Sequence, residues 1–150
     1  MEVRRPVILL MENDEADVFL FRRALSQLNF TGTVRLVGSV GQARAYLEGS
    51  GVYQDREYFP APDLIVTDMH LPGSSGNDFL AWVRQREQFA AIPLVFLSGT
   101  FLPPDKVRAE ELGADAFYVK SGDMNVVRER VRSMLASLPG GSSPKNKRQD

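Results

Sequence analysis

Cysteine is absent from all 150 residues, and histidine occurs once, as His70. The first absence excludes disulfide bonds, thiolate metal sites and cysteine nucleophiles, and a lone histidine cannot build a metal site by itself. No apolar run approaches the ~18 residues of a membrane span, and the first residues lack the long apolar stretch of a signal peptide. We therefore expect a cytoplasmic protein with no membrane partner.

Neither sign of charge dominates the chain. It has 18 Lys and Arg residues against 19 Asp and Glu residues, a net charge of -1, so no overall basic field favours binding to nucleic acid. A chain of this length can bury a substantial core as a single domain. We assign that domain to residues 1–138 and predict that residues 139–150, rich in Gly, Ser, Pro and basic residues, form a disordered tail.

Five apolar runs of strand length alternate with helical patterns. The runs lie at residues 6–11, 33–37, 64–66, 92–97 and 116–119. Because the central runs are apolar throughout rather than alternating, they favour a parallel sheet covered by helices on both faces. We predict an α/β fold with a doubly wound, five-stranded parallel sheet in the flavodoxin-like order 2-1-3-4-5.

Capping residues indicate where the helices begin. Asp14 and Ser39 are placed as N-caps of the first and second helices, and Ser75 or Asn77 starts the third. The fourth helix opens on prolines and carries few apolar residues, so we expect it to cover the sheet loosely.

Asp68 ends the third apolar run, and a Pro-, Gly- and Ser-rich loop follows at once. This pattern brings a carboxylate to the carboxyl edge of a parallel sheet, where open α/β sheets bind ligands. Polar residues follow the other strands too: Glu12, Asn13 and Asp14 after the first, Ser98 after the fourth and Lys120 after the fifth. We expect these side chains to converge. Oxygen ligands, a hydroxyl and a lysine suit a site for Mg²⁺ and a phosphoryl group, and a carboxylate can become an aspartyl-phosphate.

Four motifs in this order and spacing resemble a response-regulator receiver domain, the phosphoacceptor half of two-component signalling, over roughly residues 6–138. They are residues 8–14 (ILLMEND), 63–72 (DLIVTDMHLP) with Gly76, 95–99 (VFLSG) and 113–120 (GADAFYVK). The resemblance implies a signalling protein rather than an enzyme, whose only catalysis is its own phosphotransfer and dephosphorylation.

The resemblance also implies a role for each matching side chain. Asp68 would accept the phosphoryl group from the phosphohistidine of a sensor histidine kinase. Lys120 and Ser98 would contact that group and stabilise it. Phe117 would be the aromatic switch, whose ring moves inward when the hydroxyl of Ser98 moves.

A magnesium site is implied by the same resemblance, with one departure from the family pattern. Glu12 and Asn13 stand at the acidic-pair positions, and Asp68 and the backbone carbonyl of His70 complete the ligands. The family usually has Asp where Asn13 stands. An amide oxygen carries no charge, so we expect weaker Mg²⁺ binding, and rescue by Asp14 would displace a helix cap.

Ser121 is a second departure, because the family usually has proline after the lysine, commonly with a cis peptide. A cis bond before a residue other than proline costs roughly 3 kcal/mol, so either the bond is trans or the site compensates. The Lys120-Ser121 pair and the long loop at residues 49–62 are similar to single-domain receivers that partner bacterial phytochrome kinases. We also expect a homodimer through the fourth helix, fifth strand and fifth helix.

Two other functions stay open on the sequence alone. An aspartyl-phosphate phosphatase of the haloacid-dehalogenase type has a similar site, but it uses a second Asp two residues after the nucleophile, where this chain has His70. A pseudo-receiver would keep the fold and act as a binding module that needs no phosphorylation. Asn13 is the residue that favours it.

Overall fold

The computed structural model describes residues 4–138, and the predicted tail at residues 139–150 lies outside them. The helices are α1 (Glu15–Gln27), α2 (Val40–Glu48), α3 (Gly76–Gln85), α4 (Pro103–Leu112) and α5 (Met124–Leu135). The strands are β1 (Val7–Met11), β2 (Thr33–Val37), β3 (Leu64–Thr67), β4 (His70–Leu71), β5 (Ser74–Ser75), β6 (Leu94–Ser98) and β7 (Ala116–Val119). Within residues 4–138, no helix has the length and apolar character that a membrane span requires.

The main sheet is parallel and runs in the order β2-β1-β3-β6-β7. Since β6 and β7 are the fourth and fifth of the predicted strands, the predicted order 2-1-3-4-5 is confirmed. Met11 lies beside Thr67, and Thr67 lies beside Phe96, so β1, β3 and β6 reach the carboxyl edge close together. The residues that follow these strands meet where the strand order reverses, which is the usual ligand position in such sheets.

Alternate strand residues pack into two cores, one on each face of the sheet. Leu9, Ile65 and Phe96 share a core with α2, α3 and α4. Leu10 and Val66 share the other core with α1 and α5. All five side chains are at most 2% exposed, so β1, β3 and β6 form a rigid support for the polar residues at their ends.

Side-chain caps fix the beginnings of four helices; at α5, Asp123 accepts from the backbone N–H of Asn125. Asp14, Ser39 and Ser75 each accept a hydrogen bond from a backbone N–H three residues further on, at the starts of α1, α2 and α3. Ser75 rather than Asn77 is therefore the cap of α3. The fourth helix has no side-chain cap and buries only Ala109, so its loose cover of the sheet is confirmed.

Residues 49–62 are more ordered than the plain loop predicted for them. They contain a single 3₁₀ turn, Gly51–Tyr53, and the rings of Tyr53 and Phe59 pack on Tyr46 of α2 with centroids 5.1 and 6.0 Å away. Arg56 donates to the Tyr46 carbonyl at 2.7 Å, near the end of α2 where backbone carbonyls lack helical partners. Aromatic packing therefore anchors the segment to α2.

Candidate functional site

Asp68 follows directly on β3, whose four residues are all buried. The next residues form the short antiparallel pair β4 and β5, in which His70 pairs with Ser75. A Cβ on Gly76 would lie 2.7 Å from the carbonyl oxygen of Asp68 and 2.6 Å from a ring carbon of Phe96, so this approach requires glycine. The chain thus folds back closely behind Asp68 and leaves the carboxylate at the edge of the sheet. The sequence predicted a loop here and did not predict the pair of strands.

The carboxylate of Asp68 accepts hydrogen bonds on both oxygens. Oδ1 accepts from the Ser98 hydroxyl at 2.6 Å and from the His70 backbone N–H at 3.1 Å. Oδ2 accepts from Nζ of Lys120 at 2.9 Å. Burial by itself raises the pKa of Asp68, but these three hydrogen bonds outweigh it, and the pKa lies below the ordinary value. Asp68 is therefore held as an anion, the form that a carboxylate nucleophile requires.

Lys120 follows β7, and its backbone N–H donates to the carbonyl of Ser98 at 2.8 Å. Its ammonium contacts three carboxylates at 2.8 to 2.9 Å; they belong to Glu12, Asp17 and Asp68. Burial lowers the pKa of Lys120, but hydrogen bonds to these carboxylates more than reverse the effect and raise it above its ordinary value. The lysine is therefore a fixed positive charge at the centre of the acidic cluster.

Glu12 is buried, while the neighbouring Asn13 and Asp14 are exposed. Oε2 of Glu12 accepts from the backbone N–H groups of Asn13 and Asp14 at 3.1 and 3.0 Å. The amide oxygen of Asn13 would lie 2.8 Å from a Cβ on Gly38, so the glycine leaves room for this side chain. Asp14 caps α1 by accepting from the backbone N–H of Asp17 at 3.1 Å. Binding a metal through the same oxygen would break this cap.

An open cavity of about 430 Å³ lies above these groups, and its lining consists of Glu12, Asn13, Asp14, Asp68, His70, Leu71 and Lys120. Three of these side chains are carboxylates and one is an ammonium, so the lining has a formal excess of negative charge. Within residues 4–138, no three His, Cys, Asp or Glu side chains are arranged to hold a metal by themselves. A cation therefore needs the Asn13 amide or a backbone carbonyl as well. Such an all-oxygen set fits a hard divalent cation.

Phe117, the predicted switch residue, lies on β7 next to β6. Its ring stacks on Phe96 at 5.9 Å between centroids and meets the edge of Phe101 at 5.7 Å. Nζ of Lys106 lies 5.5 Å from its centroid. The side chain is half-buried, whereas Ser98 is fully buried with its hydroxyl on Asp68. The two residues thus lie on the neighbouring strands β7 and β6.

Asp17 is the site residue that the sequence analysis missed. It lies in the first turn of α1, three residues after the helix cap Asp14, and residues at that spacing share one face of a helix. This spacing was the available signal, but it does not indicate contact with a lysine after the fifth strand. The peptide bond between Lys120 and Ser121 is trans, since residues 4–138 contain no cis peptide.

The chain resembles known response regulators in both sequence and structure. The family model of the response regulator receiver domain matches residues 8–132. Response regulator Rcp1 of Synechocystis is 27% identical over 128 residues, which is 85% of each chain. A crystal structure of Rcp1 in its Mn²⁺-bound form covers 87% of this chain and 92% of its own, with a TM-score of 0.77 and 27% identity.

Two further solved structures come from the same group of proteins. The phosphorylated cyanobacterial phytochrome response regulator RcpA is 27% identical, with a TM-score of 0.79 over 88% of this chain and 92% of its own. The bacteriophytochrome response regulator RtBRR is 28% identical, with a TM-score of 0.76 over 97% of this chain and 84% of its own. These likenesses span nearly the whole of the described fold.

Proposed function

The chain belongs to the response regulator receiver domain family of two-component signalling, and from that premise we propose that Asp68 accepts a phosphoryl group from the phosphohistidine of a sensor histidine kinase. The observation that supports this most is the pairing of the Asp68 carboxylate with the Ser98 hydroxyl and the Lys120 ammonium beside an open cavity. Receiver domains are signalling proteins, so this transfer is a switch rather than a turnover reaction. We propose residues 1–138 as the receiver domain.

The transfer step follows from the groups present. A carboxylate oxygen of Asp68 attacks phosphorus, an O–P bond forms, and the N–P bond of the donor phosphohistidine breaks with its electron pair going to the imidazole. Lys120 then turns one N–H from Asp68 to a phosphoryl oxygen, and Ser98 donates its hydroxyl to another. Both donors are already within 2.9 Å of the carboxylate, so little reorganisation is needed. We propose that hydrolysis of the resulting acyl phosphate uses the same residues.

Receiver domains bind a divalent metal, and we propose Mg²⁺ for this chain. Glu12, Asn13, Asp68 and the backbone carbonyl of His70 would hold it. When bound, the cation neutralises the negative charge that gathers between the carboxylates and the phosphoryl group. The neutral amide of Asn13 makes the site less anionic than an aspartate there would, so we expect modest affinity.

The kinase partner that we propose is a phytochrome. Rcp1, RcpA and RtBRR, the last two named as phytochrome response regulators, resemble this chain at 27 to 28% identity. An autophosphorylated bacterial phytochrome kinase is therefore the physiological donor to test. Such kinases use ATP, and we accordingly propose the cytoplasm as the location.

A homodimer through α4, β7 and α5 is the output contact that we propose. Leu102, Val107 and Val119 are 58%, 52% and 44% exposed on these elements or just before them. Only Ala109 of α4 is buried, so this helix can shift at small cost in packing. The ring of Phe117 stacks on Phe96 of β6 and lies near Lys106 of α4. It would therefore connect the dimer interface to Ser98 at the end of β6.

The alternatives are not favoured. His70 stands where a phosphatase of the haloacid-dehalogenase type places its acid, and its side chain is exposed while its backbone N–H bonds to Asp68. A pseudo-receiver that needs no phosphorylation does not require Lys120 and Ser98 to donate to the Asp68 carboxylate, as they do here.

The test is incubation with acetyl phosphate and Mg²⁺ followed by intact-mass measurement. We expect a gain of one phosphoryl group, absent when Mg²⁺ is chelated and absent in Asp68→Asn. If the wild-type protein gains nothing at any Mg²⁺ concentration, while its circular dichroism shows a folded protein, the proposed function is wrong and the pseudo-receiver is favoured.

A further inference from the structure

Asp17 contacts the Lys120 ammonium, yet it has no part in the phosphoryl site as proposed above. Its Oδ2 lies 2.9 Å from Nζ, and its side chain is only 24% exposed. It is not the cap of α1, because Asp14 performs that role and accepts from the backbone N–H of Asp17. The carboxylate of Asp17 therefore has one evident polar contact, and that contact is the lysine.

The ammonium of Lys120 has three N–H donors, and three carboxylates surround it within 2.9 Å. When a phosphoryl group joins Asp68, one donor must turn from Asp68 to that group. The other two can stay on Glu12 and Asp17. Glu12 is itself held by two backbone N–H groups at the start of α1, and Asp17 is held by the helix. Two fixed anchors thus leave a single donor directed at Asp68.

Flexibility of the lysine side chain makes such anchors useful. A lysine has a four-carbon stem whose rotamer freedom must be lost when the ammonium binds a ligand. A stem that is already ordered loses less on binding, and the ligand binds more tightly in consequence. The Asp17 contact, at 2.9 Å from Nζ, is comparable in length to the contacts to Glu12 and Asp68 at 2.8 and 2.9 Å, so it orders the ammonium as directly as they do.

We infer that Asp17 is a positioning residue: it holds the ammonium of Lys120 beside Asp68 and so tightens the binding of a phosphoryl group there. This inference rests on the proposed function of the site. Asp17 also supplies an additional carboxylate on the α1 side of the lysine, in a cluster where Asn13 supplies no charge.

The first test uses beryllofluoride, a phosphoryl mimic, with saturating Mg²⁺ and calorimetric titration. We expect Asp17→Ala to weaken binding by about tenfold, the effect of losing one charge-assisted hydrogen bond. Asp17→Asn keeps an acceptor oxygen and should lose less. Glu15→Ala is the matched control, because it removes a carboxylate from the same first turn at an exposed position; it should bind as the wild type does. Equal or tighter binding by Asp17→Ala, or an equal loss in Glu15→Ala, would overturn the inference.

A second test needs neither metal nor phosphoryl mimic. In ¹⁵N-detected spectra of the lysine ammonium groups, we expect a distinct, slowly exchanging Lys120 signal in the wild type. In Asp17→Ala that signal should shift toward the signal of the exposed Lys106, and in Glu15→Ala it should not move. An unchanged signal in Asp17→Ala overturns the inference even if the protein is phosphorylated. Failure of the wild type to bind beryllofluoride or accept a phosphoryl group overturns the proposed function instead, so the two failures are distinguishable.

Discussion

Replacing Lys120 with methionine removes the ammonium that contacts three carboxylates and keeps an unbranched stem. The carboxylate oxygens of Glu12, Asp17 and Asp68 each lie within 2.9 Å of Nζ, so any two of them are less than about 6 Å apart. At an effective dielectric constant of about 20, two unit charges at about 6 Å repel by about 3 kcal/mol. The variant therefore leaves three mutually repelling anions without their shared cation.

Solvent reduces this cost. The four side chains are 7 to 24% exposed, so water and relaxation screen part of the repulsion. We expect Lys120→Met to lower the free energy of unfolding by about 2–4 kcal/mol at pH 7, near the range for removing one partner of a buried ion pair. The assay is urea denaturation at pH 7 and again near pH 4. In the variant the crowded carboxylates take up protons more readily, so the difference from wild type should shrink at the lower pH.

Lys106→Met is the matched control, since Lys106 is exposed and touches only the ring of Phe117 among the contacts described. A substitution of this kind changes stability by about 0.5 kcal/mol or less. If Lys120→Met costs less than about 1 kcal/mol, or costs the same at both pH values, the shared ammonium does not stabilise the three carboxylates.

Three further predictions concern the metal, the pH dependence and the dimer. Asn13→Asp should tighten Mg²⁺ binding by about tenfold, because ligand charge sets the affinity of such sites; unchanged affinity in calorimetric titration would show that residue 13 is not a ligand. The pKa of Asp68 is lower in the folded state than its ordinary value. The contribution of Asp68 to stability is therefore present above the ordinary aspartate pKa and is lost as the pH falls through the folded value. Urea denaturation from pH 5 downward should show this loss in wild type and not in Asp68→Asn. Light scattering should show a dimer, either constantly or with beryllofluoride, that Val107→Asp dissociates. Val52 lies outside the proposed interface, in the 3₁₀ turn after α2, and is 79% exposed, so Val52→Asp should leave the dimer intact. A monomer in both wild-type conditions would contradict the proposed interface.

Local pattern was enough to predict the sheet and the meeting of its strand ends. Continuous apolar runs indicate strands that are buried on both faces, and such strands are typical of a parallel sheet, which brings all carboxyl ends to one edge. Asp68, Ser98 and Lys120 are adjacent for that reason, and each lies at or just after the end of a strand whose hydrophobic character is plain in the sequence.

Contacts between elements far apart in the chain were not predictable in this way. The salt bridge between Asp17 and Lys120 depends on how α1 lies against the end of β7, and helix position is set by packing rather than by any local signal. The β4 and β5 strands are two residues each, too short for alternation to show. The aromatic packing of Tyr53 and Phe59 on α2 likewise depends on the tertiary structure.

We propose that Asp68, among several neighbouring carboxylates, is the phosphoacceptor. Borohydride reduces an acyl phosphate to an alcohol, so treating the phosphorylated protein and mapping its peptides marks the modified residue permanently. We expect homoserine at position 68 and unmodified side chains at Glu12, Asp14 and Asp17. Reduction at any of those three positions, or a phosphoryl group found on His70, would contradict it.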